Sequence, residues 1–193
     1  DGNTLLRSWI CMPLIVGLRE RCEGTVRALL SPELLTDDGL LTEQGGATFW
    51  DRSTLYALRG IYNAGYADRA TEMLHCYSQR RLLGDHVPYP IEAWPEGSQR
   101  HLSAESGLYC RIVTEGLFGI RPAGLRSFDL TPGMPSAWER MSLRRIRAFD
   151  ADFDISVGRE VGGKLRITVM QAGKKPKIYR AAPGATIRVK LTD

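Results

Sequence analysis

Residues 87–120, VPYPIEAWPEGSQRHLSAESGLYCRIVTEGLFGI, combine a proline-rich loop with the start of a helix. Two prolines, Pro88 and Pro90, precede Glu92. A third, Pro95, follows it. Each proline ring fixes φ and removes a backbone donor, so the loop is stiff. The sequence therefore predicts a carboxylate that is held in place by its own loop.

Aromatic side chains flank this carboxylate, and a second carboxylate opens the following helix. Tyr89 and Trp94 bracket Glu92, and Glu105 falls in the first helical turn after the capping residue Ser103. Aromatic faces stack on sugar rings, and carboxylates move the protons in glycoside hydrolysis. We therefore expect a sugar-binding cleft at this loop, in the last part of a carbohydrate-active enzyme.

Before residue 121 the spacing of apolar residues predicts helices joined by short loops. The first of them is interrupted where Pro13 and Gly17 break the pattern. Short antiparallel helices joined by small loops form helical hairpins. Residues 1–120 are therefore predicted to be a domain of helical hairpins. The predicted helical stretches are residues 4–30, about 67–82 and 104–118, together with a helix after Arg52 that has Leu55, Leu58, Ile61 and Tyr62 on one face and ends at Gly65.

After Arg121 the sequence changes to short alternating or β-branched runs, separated by Pro and Gly turns. Gly162 and Gly163 predict a tight hairpin, because paired glycines accept the positive φ that such a turn needs. Residues 121–193 are thus predicted to form a small antiparallel β-sandwich. The predicted strands are Leu125–Leu130, Met141–Phe149, Phe153–Val157, Lys164–Met170, Lys177–Arg180 and Thr186–Leu191. The predicted class is therefore α+β with more than one domain.

Composition and charge exclude several kinds of partner. The formal net charge of +4 is mild, and the basic runs at residues 144–147 and 174–177 fall in strand or turn patterns. A solvated strand face is the favoured interpretation of these runs over a nucleic-acid surface. No uncharged run approaches the roughly 18 residues of a membrane span. We expect neither a nucleic-acid nor a membrane partner.

Metal and cofactor chemistry has no motif in this sequence. The four cysteines have no C-x-x-C spacing, and no set of His, Cys, Asp or Glu has metal-ligand spacing. There is no phosphate-binding glycine loop, and Ser106 does not lie in a G-x-S-x-G motif. We therefore predict no metal and no cofactor.

Three stretches resemble a known group of enzymes. They are LLTEQGGATFWDRSTLYALRGIYNAGY, IEAWPEG and SAESGLYCRIVTEGLFGIRPAG. Over about residues 36–140 they resemble the C-terminal part of the six-hairpin glycosidases. The resemblance implies helical hairpins of a partial (α/α)6 toroid, followed by a β-sandwich. Trehalase-like, processing α-glucosidase-like and rhamnosidase-like members all stay open.

The resemblance also implies roles for particular residues. A Glu in an E-x-aromatic loop is the general base in trehalase-like and α-glucosidase-like members, and here it would be Glu92. In the six-hairpin glycosidases a Trp-Arg-Gly-Pro loop lines the sugar subsite. This chain has Trp50-Asp51-Arg52 instead, so the tryptophan and the arginine are present but not adjacent. The general acid of the clan lies upstream of these residues. The resemblance thus implies an inverting hydrolase of terminal sugars, and we expect this chain to be inactive by itself.

Alternatives remain for each of these residues. Glu96 or Glu105 could be the base instead of Glu92. Glu105 could also bind substrate, or serve only to complement the positive end of the helix dipole. Asp51 and Arg52 could pair with each other or contact sugar hydroxyls. Either His86 or His101 could reach the cleft.

A second class of function also fits the sequence. A non-catalytic carbohydrate-binding or scaffold module would keep the aromatics without the chemistry, and a helical-repeat interaction module is a weaker alternative. The expected partner is a carbohydrate substrate. A partial toroid would expose an apolar helical flank, so we expect upstream sequence or a second copy to cover it. The candidate substrate-binding residues are Trp50, Asp51, Arg52, Tyr89, Trp94 and Glu105.

Overall fold

The computed structural model describes residues 4–84, 87–95 and 103–192. Contacts within the chain divide it into two units, Asp1–Gly116 and Leu117–Asp193. Three residues considered as alternatives above lie outside the described residues: His86, Glu96 and His101.

The first unit contains five short α-helices within its described residues. Their bounds are α1, Met12–Ile15; α2, Cys22–Leu29; α3, Asp51–Asn63; α4, Ala67–Tyr77; and α5, Ser103–Arg111. The additional helical turns are a 3₁₀ turn, Ser8–Cys11, before α1, and π turns, Ser78–Leu82 and Ile112–Leu117, after α4 and α5.

Helix α3 lies at the centre of this unit's core. Its apolar residues Leu55, Leu58 and Ile61 are buried. Gly60 allows α1 to approach closely, because a Cβ on Gly60 would lie only 3.0 Å from the Cβ of Leu14. Such close packing leaves α3 little freedom to shift. The first turn of α3 is consequently a fixed platform for whatever side chains it carries.

Two small antiparallel ladders complete the first unit. Strand β1, Leu35–Thr36, pairs with β2, Gly39–Leu40. Strand β3, Phe49–Trp50, pairs with β4, Ala93–Trp94. The second ladder joins segments that are distant in the sequence, and it brings the proline-rich loop to the start of α3.

The predicted fold class is wrong. Residues 1–120 were expected to be helical hairpins of a partial (α/α)6 toroid, but the described part has short helices and two small sheets, with no such pattern. One physical reason lies in residues 4–30, where Gly17 has a φ of 84° and separates α1 from α2. A second is that the segment before α3 is extended and forms β1, β2 and β3. The chain is a mixed α+β protein.

The second unit contains two antiparallel sheets. The first has the order β11-β6-β5, and the other has the order β10-β9-β8-β7. The bounds are β5, Ile120–Gly124; β6, Ser127–Leu130; β7, Arg140–Ala148; β8, Ala151–Arg159; β9, Leu165–Gln171; β10, Lys177–Ala181; and β11, Ile187–Lys190. Strand β5 was not predicted, because the first alternating run in the sequence begins only at Leu125.

The core of this unit is formed by side chains that alternate between a buried and an exposed face along the strands. Alternate residues are buried through the middle of β8 and along most of β9, including Ile155, Ile167 and Val169. Phe128 of β6 stacks on Phe153 of β8, with ring centroids 5.4 Å apart. The two sheets therefore face each other across an apolar layer, with polar residues on the outer faces.

The hairpin between β8 and β9 provides a test of backbone conformation. Gly163 has a φ of 80°, and a Cβ there would meet nothing within 4 Å. Gly163→Ala is expected to lower the free energy of unfolding by about 1–2 kcal/mol, because an L side chain strains the left-handed region. Urea unfolding would measure the change.

Gly24 is the contrasting position for this test. It lies within α2 without a positive φ, and a Cβ there also meets nothing within 4 Å. Gly24→Ala is therefore expected to raise stability by up to about 1 kcal/mol. Equal losses in both variants would show that the sign of φ does not decide the effect.

Candidate functional site

The β3–β4 ladder assembles most of the candidate residues at one place. Trp50 is the partner of Ala93, and Phe49 is the partner of Trp94. Since α3 begins directly after β3, the ladder brings the start of this helix close to the loop that carries Glu92.

Glu92 is the accessible carboxylate of this site. Its side chain is 53% exposed, and its Oε1 lies 3.9 Å from a terminal guanidinium nitrogen of Arg52. The residues on either side of it, Ile91 and Ala93, are buried. The backbone is thus anchored while the carboxylate faces solvent beside a cation.

Glu105 occupies the opposite environment. Its side chain is fully buried, and its Oε1 accepts a hydrogen bond from Arg52 Nε at 2.6 Å. This bond raises the pKa of Arg52. The second oxygen, Oε2, has no hydrogen-bond partner among the described residues. Arg52 consequently contacts both carboxylates, one buried and one open to solvent.

A buried ion pair between Asp51 and Arg81 stabilises the β3–β4 ladder. Asp51 Oδ1 lies 3.0 Å from Arg81 Nη2, with side-chain exposures of 1% and 2%. Asp51 Oδ2 also accepts a hydrogen bond from the backbone N–H of Ile91 at 2.7 Å. The Arg81 guanidinium lies 5.0 Å from the ring centroid of Trp94. Asp51 and Arg81 therefore hold the residue immediately before Glu92.

The phenol of Tyr77 lies in the same buried region. Burial raises the pKa of Tyr77 well above its usual range, and the Asp51 carboxylate raises it further. Arg81 lies 5.9 Å from the centroid of this ring. Tyr77 therefore stays neutral and acts as apolar cover for the ion pair.

Three aromatic rings lie together near the start of α3. Trp9 meets Trp50 edge to face at a centroid distance of 5.9 Å, and it lies 6.1 Å from Tyr56. All three rings are half-buried. Half-buried rings keep part of their surface available for a ligand while their positions are fixed by one another.

A second set of charges continues along α3. Arg59 donates to Glu115 at 2.6 Å, and Arg111 donates to the same carboxylate. Burial lowers the pKa of Arg59, while Glu115 opposes that shift. Arg52, Tyr56 and Arg59 follow the spacing of one helical face. This face is therefore polar and aromatic, unlike the apolar face of α3.

The predicted site residues are only partly brought together. Arg52 contacts Glu92 and Glu105, whereas Asp51 binds Arg81 instead of Arg52. The Asp51 side chain is 1% exposed and contacts Arg81 and the backbone of Ile91. Tyr89 is half-buried.

Several residues of this arrangement were not predicted from the sequence to belong to the site, among them Trp9, Tyr56, Arg59 and Arg81. Arg81 gave no signal, because nothing in its local sequence marks it as buried. Tyr56 and Arg59 share the helical face of Arg52, and this spacing could have identified them.

Helix α4 carries His75 on its exposed side.

Other chemistries find little support within the described residues. Burial raises the pKa of the Cys11 thiol to about 12, so this cysteine stays protonated. No group of three or more His, Cys, Asp or Glu residues is arranged to hold a metal ion in the part of the chain that is described. Nor does any helix among those residues have the length and apolar character needed to cross a membrane.

Comparisons with known proteins identified no relative of this chain. A scan against protein-family models, a search of curated proteins and a search of solved structures each found no match.

Proposed function

We propose that this chain is part of a glycoside hydrolase that cleaves terminal sugar units with inversion, and that Glu92 is its general base. The observation that carries the proposal is the placement of Glu92 on an anchored backbone, with its carboxylate 53% exposed beside Arg52. A general base must reach both water and substrate. The exposure of the Glu92 carboxylate supports this role, because an exposed carboxylate is open to both.

Glu105 is better suited to positioning than to proton transfer. Its side chain is fully buried, and Arg52 binds one of its oxygens at 2.6 Å. Such burial favours a structural ion pair over proton exchange with solvent. Its role is to orient Arg52, whose other nitrogen faces Glu92.

The chemistry assigns one proton transfer to this chain. Glu92 would accept a proton from a water molecule as the water oxygen attacks the anomeric carbon from the face opposite the leaving group. A separate carboxylic acid would donate a proton to the departing glycosidic oxygen. Inverting enzymes hold these two carboxyl groups roughly 6.5–9.5 Å apart, which leaves room for the water.

A carbohydrate-binding module without catalysis is the second candidate. The observation that favours it is the cluster of Trp9, Trp50 and Tyr56, which could bind a sugar ring without any proton transfer. Both candidates need sugar binding at these rings. Turnover that depends on Glu92 distinguishes them.

Sugar binding is tested most directly at Trp50. A panel of methyl α- and β-glycosides, titrated against the chain and followed by NMR, should contain at least one that binds. Trp50→Ala should weaken that binding by about tenfold, which corresponds to about 1.4 kcal/mol. This loss is expected because the ring offers a large rigid contact surface.

Trp138→Ala is the matched control for this titration. Trp138 belongs to the second unit and is 39% exposed, so its removal deletes the same ring from a different surface. Its binding constant should stay within about twofold of the wild type. Equal losses in the two variants, or no binding by any glycoside, would contradict the proposal.

A further inference from the structure

Basic residues are concentrated in the second unit. Residues 117–193 contain 15 Lys and Arg residues against 7 Asp and Glu residues, a formal net charge of +8, whereas the whole chain carries +4. The first 116 residues are therefore net acidic. A positive field of this size attracts anions to the surface of the second unit.

Part of this charge lines a depression on the outer face of the four-stranded sheet. The depression has a volume of about 920 Å³. In the sheet register Arg140 lies opposite Gly158, and Gly158 lies opposite Arg166. Directly paired residues point to the same face. The two arginines thus flank a glycine, about 10 Å apart across two strand spacings.

The arginines that face this depression lack acidic partners. Among the described residues, the side chains of Arg140, Arg144 and Arg166 form no ion pair or hydrogen bond, although Arg180 nearby binds Glu160. Arg166 also lies directly opposite Arg180 in the sheet. Like charges placed opposite each other destabilise a sheet. Glu160 compensates the charge of Arg180, so the charge of Arg166 is the one that a bound anion would balance.

A row of hydroxyl groups runs beside the arginines. Ser142 is paired with Ser156, and Ser156 is paired with Thr168. All three residues line the depression. Their hydroxyls can donate to or accept from a polyhydroxylated ligand. The same face therefore combines cations for acid groups with hydroxyls for neutral oxygens.

We propose that this depression binds an anionic glycan, with carboxylate or sulfate groups held by Arg140, Arg144 and Arg166 and sugar hydroxyls held by the serine and threonine row. Arginine binds such planar or multivalent oxygen groups through paired hydrogen bonds. The described lining contains no aromatic ring, whereas single-stranded nucleic acids are bound through stacked bases. The choice of a glycan rests on the proposed function; the choice of an anion rests on the arginines.

Isothermal titration of the full chain at about 0.15 M salt would test the proposal with four probes. These are sodium polygalacturonate, dextran sulfate, neutral dextran and a deoxythymidine oligonucleotide. At least one of the two acidic polysaccharides should bind, and the tighter of them identifies carboxylate or sulfate as the preferred group. Binding of neutral dextran with the same affinity, or tighter binding of the oligonucleotide, would overturn the glycan assignment.

Substitutions separate a built site from a general positive field. Arg140→Gln combined with Arg166→Gln should weaken binding at least tenfold. Arg147→Gln is the matched control, because Arg147 is an exposed arginine of β7 that binds Asp152 outside the depression. It should change affinity by less than about 1.5-fold, because an exposed charge outside the depression is largely screened at this salt concentration. Equal losses per charge at all positions would overturn the proposal.

Gly158 allows a test that leaves the charge unchanged. A Cβ on Gly158 would lie 3.9 Å from its nearest neighbour, the carbonyl oxygen of Glu139, so Gly158→Val should fold and fill the floor between the arginines. A fivefold or greater loss of binding is expected. Normal binding by a folded Gly158→Val would count against the site. The glycoside titration at Trp50 is independent, so failure of one proposal is distinguishable from failure of the other.

Discussion

Glu92→Gln is expected to lower the turnover of the sugar substrate by about 10²–10⁴-fold, the usual effect of removing a general base. The change keeps the size of the side chain and its contact with Arg52, but it removes the proton acceptor. The Michaelis constant should therefore change little. The assay requires a polypeptide that contains both this chain and the acid, with kcat and KM measured on one substrate.

Glu105→Gln is the control that separates proton transfer from positioning. Glu105 is fully buried and binds Arg52 at 2.6 Å, so the neutral amide would weaken the hold on the guanidinium. We expect a rise in KM and a loss of stability, with a smaller fall in kcat. If Glu92→Gln kept near-normal turnover while Glu105→Gln lost it, the base would be Glu105.

Local patterns anticipated the elements of the second unit better than those of the first. The strands β7 to β9 have long alternating runs, and the Gly162–Gly163 turn chemistry is strong. Period-two alternation is a direct consequence of having one buried face. In the first unit the helices are short and the ladders have two residues per strand. Such short elements carry almost no periodic signal, so tertiary contacts decide them.

The candidate site shows the same limit at the level of single residues. The stiff loop around Glu92 could be predicted, because proline restricts the backbone wherever it occurs. The partner of Asp51 could not, since Arg81 is distant in the sequence and arginine is rarely buried. Sequence neighbours suggested an Asp51–Arg52 pair. The β3–β4 ladder instead directs these two side chains to different partners.

Arg81→Met is expected to destabilise the first unit by about 3–5 kcal/mol, the usual result of removing one partner of a buried ion pair. The Asp51 carboxylate would remain 1% exposed without its cation. The backbone N–H of Ile91 would still donate to it, which offsets only part of the cost. Urea unfolding followed by tryptophan fluorescence would measure the change.

Arg80→Met is the matched control on the neighbouring residue. Arg80 forms an ion pair with Asp38 at 2.7 Å, but its side chain is 50% exposed. Exposed ion pairs contribute about 0–1 kcal/mol to stability. Arg81, by contrast, also donates to the carbonyl oxygen of Asp38 and lies over Trp94. A loss of 1 kcal/mol or less in Arg81→Met would contradict the assignment of this pair as the anchor of the Glu92 loop. With the expected loss, folded Arg81→Met at low temperature should also bind glycosides more weakly, because the β3–β4 ladder that positions Trp50 and Glu92 would lose its support.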